Sequence, residues 1–500
     1  MQASPPTKTN YILMKKILSL IIGSVMLFTA CDPGEFDDTN IDPTQVSSVP
    51  TKALLTNVFN SRSNSSNSTN VGFASTVFGV NTGNFYVQYV AEGPYPGGSL
   101  YTGRNFDWSG FYTGPLYNLQ TIINLNNEGS PLADPGINGS KDNQVAVARI
   151  LKAYFFWWLT DRYGDIPYSE ALKGNANFSP KYDTQESIYT DLFKELKEAE
   201  AQIKVNEAGV SGDIMLNGNM AMWKKFANTT RLFMSLRLMK NANAKGRAEM
   251  AAAIASGVLA NNADNIWFKY EAGDPSNYNP WYFNYSVSLR NDYAVSKTMT
   301  DYMAPKSDPR LAVYGENLNG QVVGLAYGSN TAKNIPGTYS RIGDKFRSAG
   351  APALVYSYAQ VLFTLAEAAK QGWITGGDAQ AAIHYADGIK ASFETYGINT
   401  PAAYTSYMVQ AGIPYSPATG LEQILTQKWV HLYLNGYESW TDWRRTGFPV
   451  LTPAVDGAQA TIPRRQGYPT NENAINGVSY QEAVARQGAD NLSTRMWWDK

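Results

Sequence analysis

The side chains with the densest potential for chemistry lie near the C-terminal end of the sequence. Acidic, basic and indole groups alternate there in Glu438, Trp440, Asp442, Trp443, Arg444 and Arg445. Such a set can bind an anion, but it more often forms buried ion pairs, because the planar guanidinium of Arg bonds a carboxylate at two points. We therefore interpret the cluster as structural. We interpret Asp161, Arg162 and Asp165 in the segment DRYGDIPY as a network that fixes a turn.

A catalytic use of the carboxylates is the alternative to this interpretation. A glycoside hydrolase places two carboxyl groups ~5–10 Å apart across the sugar bond. The 42 acidic residues leave room for such a pair, so a surface glycoside hydrolase remains an alternative function. No catalytic motif identifies the pair, and the phosphate-binding pattern GxxxxGK[ST] is absent. We predict that the protein is not an enzyme.

Metal, cofactor and nucleic-acid sites have little support in the composition. Cys31 is the only cysteine, and His384 and His431 are the only histidines, so a thiolate metal cluster cannot form and both histidines are expected to pack in helices. The acidic segment 37–42 lacks the spaced DxDxDG pattern of a calcium loop, and a structural calcium ion is left open. A formal net charge of −1 argues against nucleic-acid binding. We expect no metal and no cofactor.

Aromatic residues are unusually frequent, with 12 Trp, 32 Tyr and 20 Phe. Exposed Trp and Tyr rings on loops can stack on the C–H faces of sugars, and two loop clusters qualify because Gly97, Gly98 and Pro280 disfavour helical burial. The predicted ligand-binding rings are Tyr95, Tyr101, Phe106 and Trp108, followed by Trp281, Tyr282, Phe283 and Tyr285. Asn105, Asn279 and Arg290 are expected to supply polar contacts. Alternatively, the rings anchor the loops to a scaffold. Replacing Trp108 and Trp281 by Ala is predicted to abolish binding without unfolding.

The N-terminal segment predicts export and lipidation. Lys15 and Lys16 precede a short apolar run from Ile17 to Phe28, as in a signal peptide. We assign the signal peptide to residues 1–30 and predict that translation starts at Met14. The run is shorter than the ~20 residues of a membrane-spanning helix. Small residues directly before Cys31 resemble a bacterial lipobox, which predicts that the thiol is acylated and anchors the protein to a membrane. Residues 31–49 form the predicted acidic tether.

The rest of the chain, residues 50–500, predicts a single, mainly α domain. Apolar residues recur at intervals of three and four, and Asp183 with Glu186 resembles a capping box. After a short helix over Lys52–Asn60, helices are expected at Val145–Leu159, from Asp183 to Ile203, Asn219–Lys240, Lys245–Leu259, Leu354–Gln371, Asp378–Tyr396, Ala402–Ala411 and Leu421–Leu434. Successive helices are expected to form antiparallel pairs of tetratricopeptide-like type. Segment 261–348 breaks this pattern and predicts long, irregular loop insertions.

Four segments in order resemble the SusD/RagB family of nutrient-binding lipoproteins from Bacteroidetes. They are VARILKAYFFWWLTDRYGDIPYSEAL at 147–172, SKTMTDYM at 296–303 with DPRL at 308–311, PALVYSYAQVLFTLAEAAKQGW at 352–373, and ILTQKWVHLYLNGYESWTDWRRTGFPVL at 424–451. The lipobox at Cys31 fits the same family.

The resemblance implies a SusD-like helical scaffold on the outer membrane, lipid-anchored and exposed at the cell surface. It also implies a partner, a SusC-like TonB-dependent transporter on which the protein sits as a lid and to which it delivers an oligosaccharide. A peptide or another nutrient in the same transport role remains the alternative ligand.

Overall fold

The computed structural model describes residues 49–59, 71–77, 82–127, 136–241 and 243–500. The protein is mainly helical, as the sequence predicts. The helices of eight residues or more are α1 (Thr51–Phe59), α2 (Tyr117–Leu125), α3 (Lys141–Tyr163), α4 (Gln185–Gln202), α5 (Met220–Arg237), α6 (Ala244–Ser256), α7 (Tyr358–Lys370), α8 (Gly377–Thr395), α9 (Pro401–Met408), α10 (Gly420–His431), α11 (Gly436–Thr446) and α12 (Gly477–Gln487). The predicted signal peptide, Cys31, the tether up to residue 48 and the Ser/Asn-rich segment 61–70 lie outside the described residues.

Helices α3 and α4 form the first antiparallel pair. Arg149, in the first half of α3, binds Glu195 and Glu198, in the second half of α4, at 2.9 and 2.8 Å. Towards the other end of α3, the indole N–H of Trp157 donates to the hydroxyl of Tyr189, near the start of α4, at 3.1 Å. The residue numbers therefore run in opposite directions along the two helices, which confirms the prediction.

The other helix pairs follow this pattern only in part. Helix α5 packs on α6, and α7 packs on α8. Helix α10, which the sequence pairs with α9, packs mainly on α7 and α8 instead. Helices that are adjacent in the sequence therefore pair only as far as α8, because α10 packs on the earlier pair formed by α7 and α8.

Tertiary contacts also move one predicted helix start. The helix expected from Leu354 begins only at Tyr358, because residues 353–356 form strand β6 (Ala353–Tyr356), which pairs with strand β4 (Ile266–Phe268). Ser357 then caps α7 by accepting a hydrogen bond from the Gln360 N–H at 3.1 Å. The apolar run at 353–356 fits a strand as well as a helix, and only the partner strand decides between them.

The cap of α4 differs from the predicted capping box. The N-cap is Thr184, whose hydroxyl accepts from the Ser187 N–H at 3.2 Å. Asp183 is unavailable as a cap because its carboxylate binds the N–H and the hydroxyl of Ser169. The predicted box at Asp183 and Glu186 is therefore one residue out of place.

All the strands of the described residues occur in antiparallel pairs. Strand β1 (Val90–Glu92) pairs with β5 (Tyr293–Val295), β2 (Ile166–Pro167) with β3 (Tyr182–Asp183), and β4 with β6. Between residues 261 and 348 the helices are short, the longest being Lys297–Met303. That segment is irregular, as the sequence predicts.

Buried ion pairs tie the scaffold helices together. Asp442 on α11 binds Lys428 at 2.7 Å and Arg445 at 3.0 Å. Arg445 also binds Glu367 on α7, and the side chains of this pair are at most 2% exposed. Although burial opposes ionisation, Lys428, Arg445 and Arg237 hold the pKa of Asp442 below its usual range. The structural interpretation of the C-terminal cluster is confirmed.

The DRYGDIPY segment is fixed in a similar way. Asp161 accepts hydrogen bonds from Tyr189 and Trp498 and pairs with Arg237 on α5. Asp165 accepts the N–H of Gln185 at 2.9 Å, next to the cap of α4. These contacts confirm that the segment holds a turn between two helices.

His431 packs inside the scaffold as expected. Its ring nitrogens lie 2.6 Å from the hydroxyl of Ser357 and 2.9 Å from that of Ser392. Burial, together with the charges of Arg310 and Lys428, lowers the pKa of His431 to about 3, so the ring is neutral near pH 7.

Residues 50–500 group into one compact unit. Within the described residues, no helix is both long enough and apolar enough to span a bilayer.

Candidate ligand-binding site

The ladder between β1 and β5 brings together two loops that lie almost 200 residues apart in the sequence. Glu92, the last residue of β1, pairs with Tyr293, the first residue of β5. The Gly93 N–H then donates to the carbonyl of Asp292 at 2.8 Å, and the Lys333 N–H donates to the carbonyl of Gly93 at 2.9 Å. The loop after β1, the loop before β5 and a third loop around Lys333 therefore meet.

Tyr95 and Arg290 face each other where these loops meet. Tyr95 is 66% exposed, although its ring is large and mostly apolar. The guanidinium carbon of Arg290 lies 5.3 Å from the centre of that ring, and Arg290 Nε donates to the carboxylate of Asp292 at 2.6 Å. We call the surface formed by Tyr95, Leu289, Arg290 and Lys333 the platform.

The carboxylate of Glu92 holds the loop that carries Tyr95. It accepts the Ser99 N–H at 2.6 Å and so closes residues 93–99 into a compact loop. Burial, with a smaller contribution from the charge of Asp292, raises the pKa of Glu92 to about 7. The sequence gives no signal for this role, since Glu92 resembles any acidic residue before a loop.

Leu289 is the other platform residue that sequence reasoning missed. It is 77% exposed and has φ of 51°, in the left-handed region. This conformation costs a leucine about 1 kcal/mol or more, and it lets the Arg290 N–H turn back to the carbonyl of Asn284 at 2.9 Å. The left-handed residue thus reverses the chain just before Arg290 and leaves an apolar side chain on the platform.

The prediction that the first aromatic cluster is exposed is wrong for two of its rings. Tyr101 is 1% exposed and accepts the Ala454 N–H at 3.1 Å. Trp108 is 4% exposed and packs on Tyr163 and Tyr468, with ring centres 4.9 and 5.4 Å apart. Both rings anchor the loop to the scaffold, which is the alternative that the sequence left open. Phe106 is half-buried, and Asn105 is exposed.

The second aromatic cluster is also largely buried, contrary to the prediction. Trp281 is fully buried and meets Tyr293 edge to face at 5.6 Å. The Tyr285 hydroxyl donates to the carbonyl of Tyr293 at 2.7 Å, and the buried Asn279 caps a short helix by accepting the Trp281 N–H at 2.8 Å. Tyr282 and Phe283 are half-buried. The rings therefore support strand β5 and the Arg290 loop from beneath.

Trp108 and Trp281 cannot test ligand binding in the way the sequence suggests. Removing a buried Trp side chain costs about 3–5 kcal/mol of stability. The double replacement is therefore expected to unfold the protein, in contrast to the folded, non-binding variant that the sequence predicts.

A cavity of about 500 Å³ is lined in part by the start of the loop that carries Lys333, and none of the platform residues lines it. Its floor includes Trp429 and Tyr302, and Lys297 and Asp301 form an ion pair at its edge. Ala326 and Tyr327, which line it, begin the same loop that carries Lys333. Within the described residues, no group of three His, Cys, Asp or Glu side chains is placed to hold a metal ion.

Comparison with known protein families shows which family the chain belongs to. The profile of the SusD-like family described as "Starch-binding associating with outer membrane" matches residues 43–469. This chain belongs to the SusD-like family. Membership confirms the resemblance drawn from the sequence motifs and places this SusD-like chain among outer-membrane-associated proteins. Curated protein sequences contain no significant match.

Solved structures support the same fold for the SusD-like chain. A chitin-binding SusD homologue from Flavobacterium johnsoniae is 26% identical with a TM-score of 0.75, over 90% of this chain and 98% of that chain. A structure named a chitin-binding protein is 28% identical with a TM-score of 0.74, over 90% and 100%. A SusD homologue from Bacteroides uniformis is 28% identical with a TM-score of 0.74, over 90% and 98%.

Proposed function

We propose that this SusD-like protein captures a glycan on the platform and delivers it intact to a TonB-dependent transporter of the outer membrane. The observation that carries the proposal is the exposed ring of Tyr95 beside the guanidinium of Arg290. The negative face of an aromatic ring attracts the C–H groups of a sugar, and a guanidinium donates hydrogen bonds to its hydroxyls. Family membership and the chitin-binding names of two similar structures support a glycan as the ligand.

The position of the ring on the loop favours binding rather than packing. Tyr101 and Trp108 fasten the same loop to the scaffold from below, so Tyr95 is not needed as an anchor. A ring held on a rigid base loses little conformational freedom when a ligand stacks on it. Tyr282 remains a further candidate contact, because it is half-buried and meets Tyr278 edge to face at 5.0 Å.

The glycan proposal is tested with the mature chain carrying Cys31→Ser, which has no thiol to acylate. Calorimetry against a panel of oligosaccharides and peptides should show saturable binding of a glycan. Tyr95→Ala should weaken that binding about tenfold, which corresponds to about 1.4 kcal/mol of lost ring contact. The matched control is Tyr117→Ala, which removes a ring that is 49% exposed on α2.

Three outcomes would contradict the proposal. Equal loss of affinity in the two variants would remove the platform from the binding site. Binding of peptides alone would favour the peptide alternative. Shortened oligosaccharides after incubation, detected by mass spectrometry, would show hydrolysis and contradict the proposal of capture without cleavage.

Lipid anchoring at Cys31 and delivery to a transporter belong to the same proposal. An acylated Cys31 would keep the domain at the membrane, since each buried methylene contributes about 0.8 kcal/mol. Labelling cells with a fatty-acid analogue should mark the wild-type protein, and Cys31→Ser should abolish the label. Affinity purification of the wild-type protein from outer membranes should recover a TonB-dependent transporter. Failure to recover it would contradict the delivery step.

A further inference from the structure

The platform stands where three loops meet: residues 93–106, residues 286–292 and residues 326–337. Their basic side chains are Arg104, Arg290 and Lys333, and all three are exposed. Their single acidic side chain is Asp292, which is buried and bound by Arg290 Nε. The formal net charge of the whole chain is −1. The basic character of the platform is therefore a local feature and does not reflect the average composition.

The carboxylates that border the three loops are already engaged. Glu92 is half-buried and accepts the Ser99 N–H. Burial and the neighbouring Asp292 raise its pKa to about 7, so it carries only part of a negative charge near neutral pH. Asp107 and Asp456 each accept a backbone N–H at 2.8 Å. Accepting a hydrogen bond does not neutralise these two exposed carboxylates, so the feature that favours an anionic ligand is the position of Arg290 beside Tyr95 and not the summed charge of the three loops.

Arg290 is placed to bind a substituent at the edge of a stacked sugar. Its Nε is bound to Asp292, which fixes the plane of the guanidinium beside the Tyr95 ring. The Arg290 side chain is nevertheless 54% exposed, so its other nitrogens face solvent. A planar guanidinium bonds carboxylate or sulfate oxygens at two points, more strongly than it bonds neutral hydroxyls.

We infer that the platform selects an anionic saccharide, one that carries carboxylate or sulfate groups, through Arg290 beside Tyr95, with Lys333 on the adjoining loop. This inference rests on the proposed glycan-binding function and adds the substrate class. It separates the chain from the relatives named for binding chitin, which is an uncharged polymer. Because the basic groups are exposed, their attraction for the ligand is screened by salt.

The test compares charged and neutral probes on the same mature Cys31→Ser protein. Calorimetry uses oligogalacturonates for carboxylate, carrageenan oligosaccharides for sulfate, maltooligosaccharides and chitooligosaccharides as neutral sugars, and polyglutamate as an acidic peptide. We expect at least one anionic saccharide to bind about tenfold more tightly than the neutral ones, with affinity falling as NaCl rises from about 50 mM to about 500 mM. Arg290→Gln should remove this preference. The matched control is Arg247→Gln, which replaces an exposed Arg on α6.

The possible results of this experiment distinguish the inference from the proposed function on which it rests. Salt-dependent binding of an anionic saccharide that is lost in Arg290→Gln and kept in Arg247→Gln supports the inference, and the probe that binds separates carboxylate from sulfate. Salt-independent binding of a neutral glycan that is lost in Tyr95→Ala overturns the inference and leaves the proposed function intact. Polyglutamate bound as tightly as the sugars overturns the saccharide class. No glycan binding at all overturns both.

Discussion

The buried charges of the helical scaffold and the exposed charges of the platform are arranged in opposite ways. In the scaffold, the Arg445–Glu367 pair is fully enclosed and joins α11 to α7. On the platform, Arg290 is held by Asp292 through one nitrogen and keeps the rest of its guanidinium in solvent. The buried pair makes its hydrogen bonds within the fold, out of reach of a ligand, whereas the half-exposed one keeps donors in solvent. The same residue types therefore stabilise the fold in one region and can bind ligand in the other.

Breaking the enclosed pair tests the scaffold half of this comparison. Glu367→Ala removes one of the two carboxylates that bind the buried Arg445, and breaking a buried ion pair by removing one partner costs about 3–5 kcal/mol of stability. The free energy of unfolding, measured in urea, should fall by this amount. A loss below about 1 kcal/mol would mean that Asp442 or water replaces the lost partner and that the pair is not a main support of the fold.

Replacing one buried ring and one exposed ring tests whether the rings beneath the platform stabilise the fold while the exposed ring does not. Trp281→Ala should lower the free energy of unfolding by about 3–5 kcal/mol, because the ring is fully buried beside Tyr293. Tyr95→Ala should change it by less than about 0.5 kcal/mol, since surface changes have small effects. Similar losses in the two variants would contradict the distinction between an anchor ring and a ligand-binding ring.

The pH dependence of stability reports on Glu92 at the base of the platform. Its pKa is raised to about 7 in the folded protein, so the folded state binds the proton more tightly than the unfolded chain does. The resulting stabilisation is fully present below the unfolded pKa of about 4.5 and is lost as the pH rises through about 7. Glu92→Gln, which mimics the protonated form, should match the wild type near pH 4 and exceed it by up to about 3 kcal/mol at pH 8.

Urea unfolding at a series of pH values measures this difference. A constant difference between the two curves from pH 4 to pH 8 would show that Glu92 titrates normally and does not hold the loop through a buried carboxylate. Asp301→Asn is the control, since that carboxylate is 60% exposed and should leave the shape of the curve unchanged.

The smallest expected effect comes from an exposed ion pair. Lys297 and Asp301 lie 2.6 Å apart, but their side chains are 57% and 60% exposed. Such pairs contribute about 0–1 kcal/mol, so Lys297→Ala should lower the free energy of unfolding by less than about 0.5 kcal/mol. A loss as large as that of Glu367→Ala would show that exposure does not separate the two classes of charge in this protein.

The periodic helices and the structural charge clusters could be predicted from the sequence. Helix α3 has its apolar residues at helical spacing, and Asp161 and Asp442 stand in segments where acidic and basic groups alternate with aromatic rings. These signals are local, because helix formation and capping depend on residues within a few positions of each other. The order of four such segments was enough to indicate the family, which the family match from 43 to 469 confirms.

The binding platform could be predicted only in part. The sequence indicated both aromatic loops and named Tyr95 and Arg290, yet it expected Tyr101, Trp108, Trp281 and Tyr285 to be exposed as well. Composition cannot distinguish an anchor ring from a ligand ring, since both occur among Gly and Pro on loops. Burial depends on what packs against each ring, and for Trp108 that includes Tyr468, 360 residues away.

The sequence by itself determined the periodic helices, the segments whose charges form structural clusters and the presence of two aromatic loops, because each is marked by a local pattern of residue types. Only the tertiary structure decided which rings reach solvent. The pairing of Val90–Glu92 with Tyr293–Val295 joins segments that share no local pattern. Contacts with Tyr293 bury Trp281 and Tyr285, contacts with the C-terminal segment bury Tyr101 and Trp108, and Tyr95 and Arg290 stay at the surface. Such long-range pairing depends on the whole fold, so it cannot be read from either loop alone.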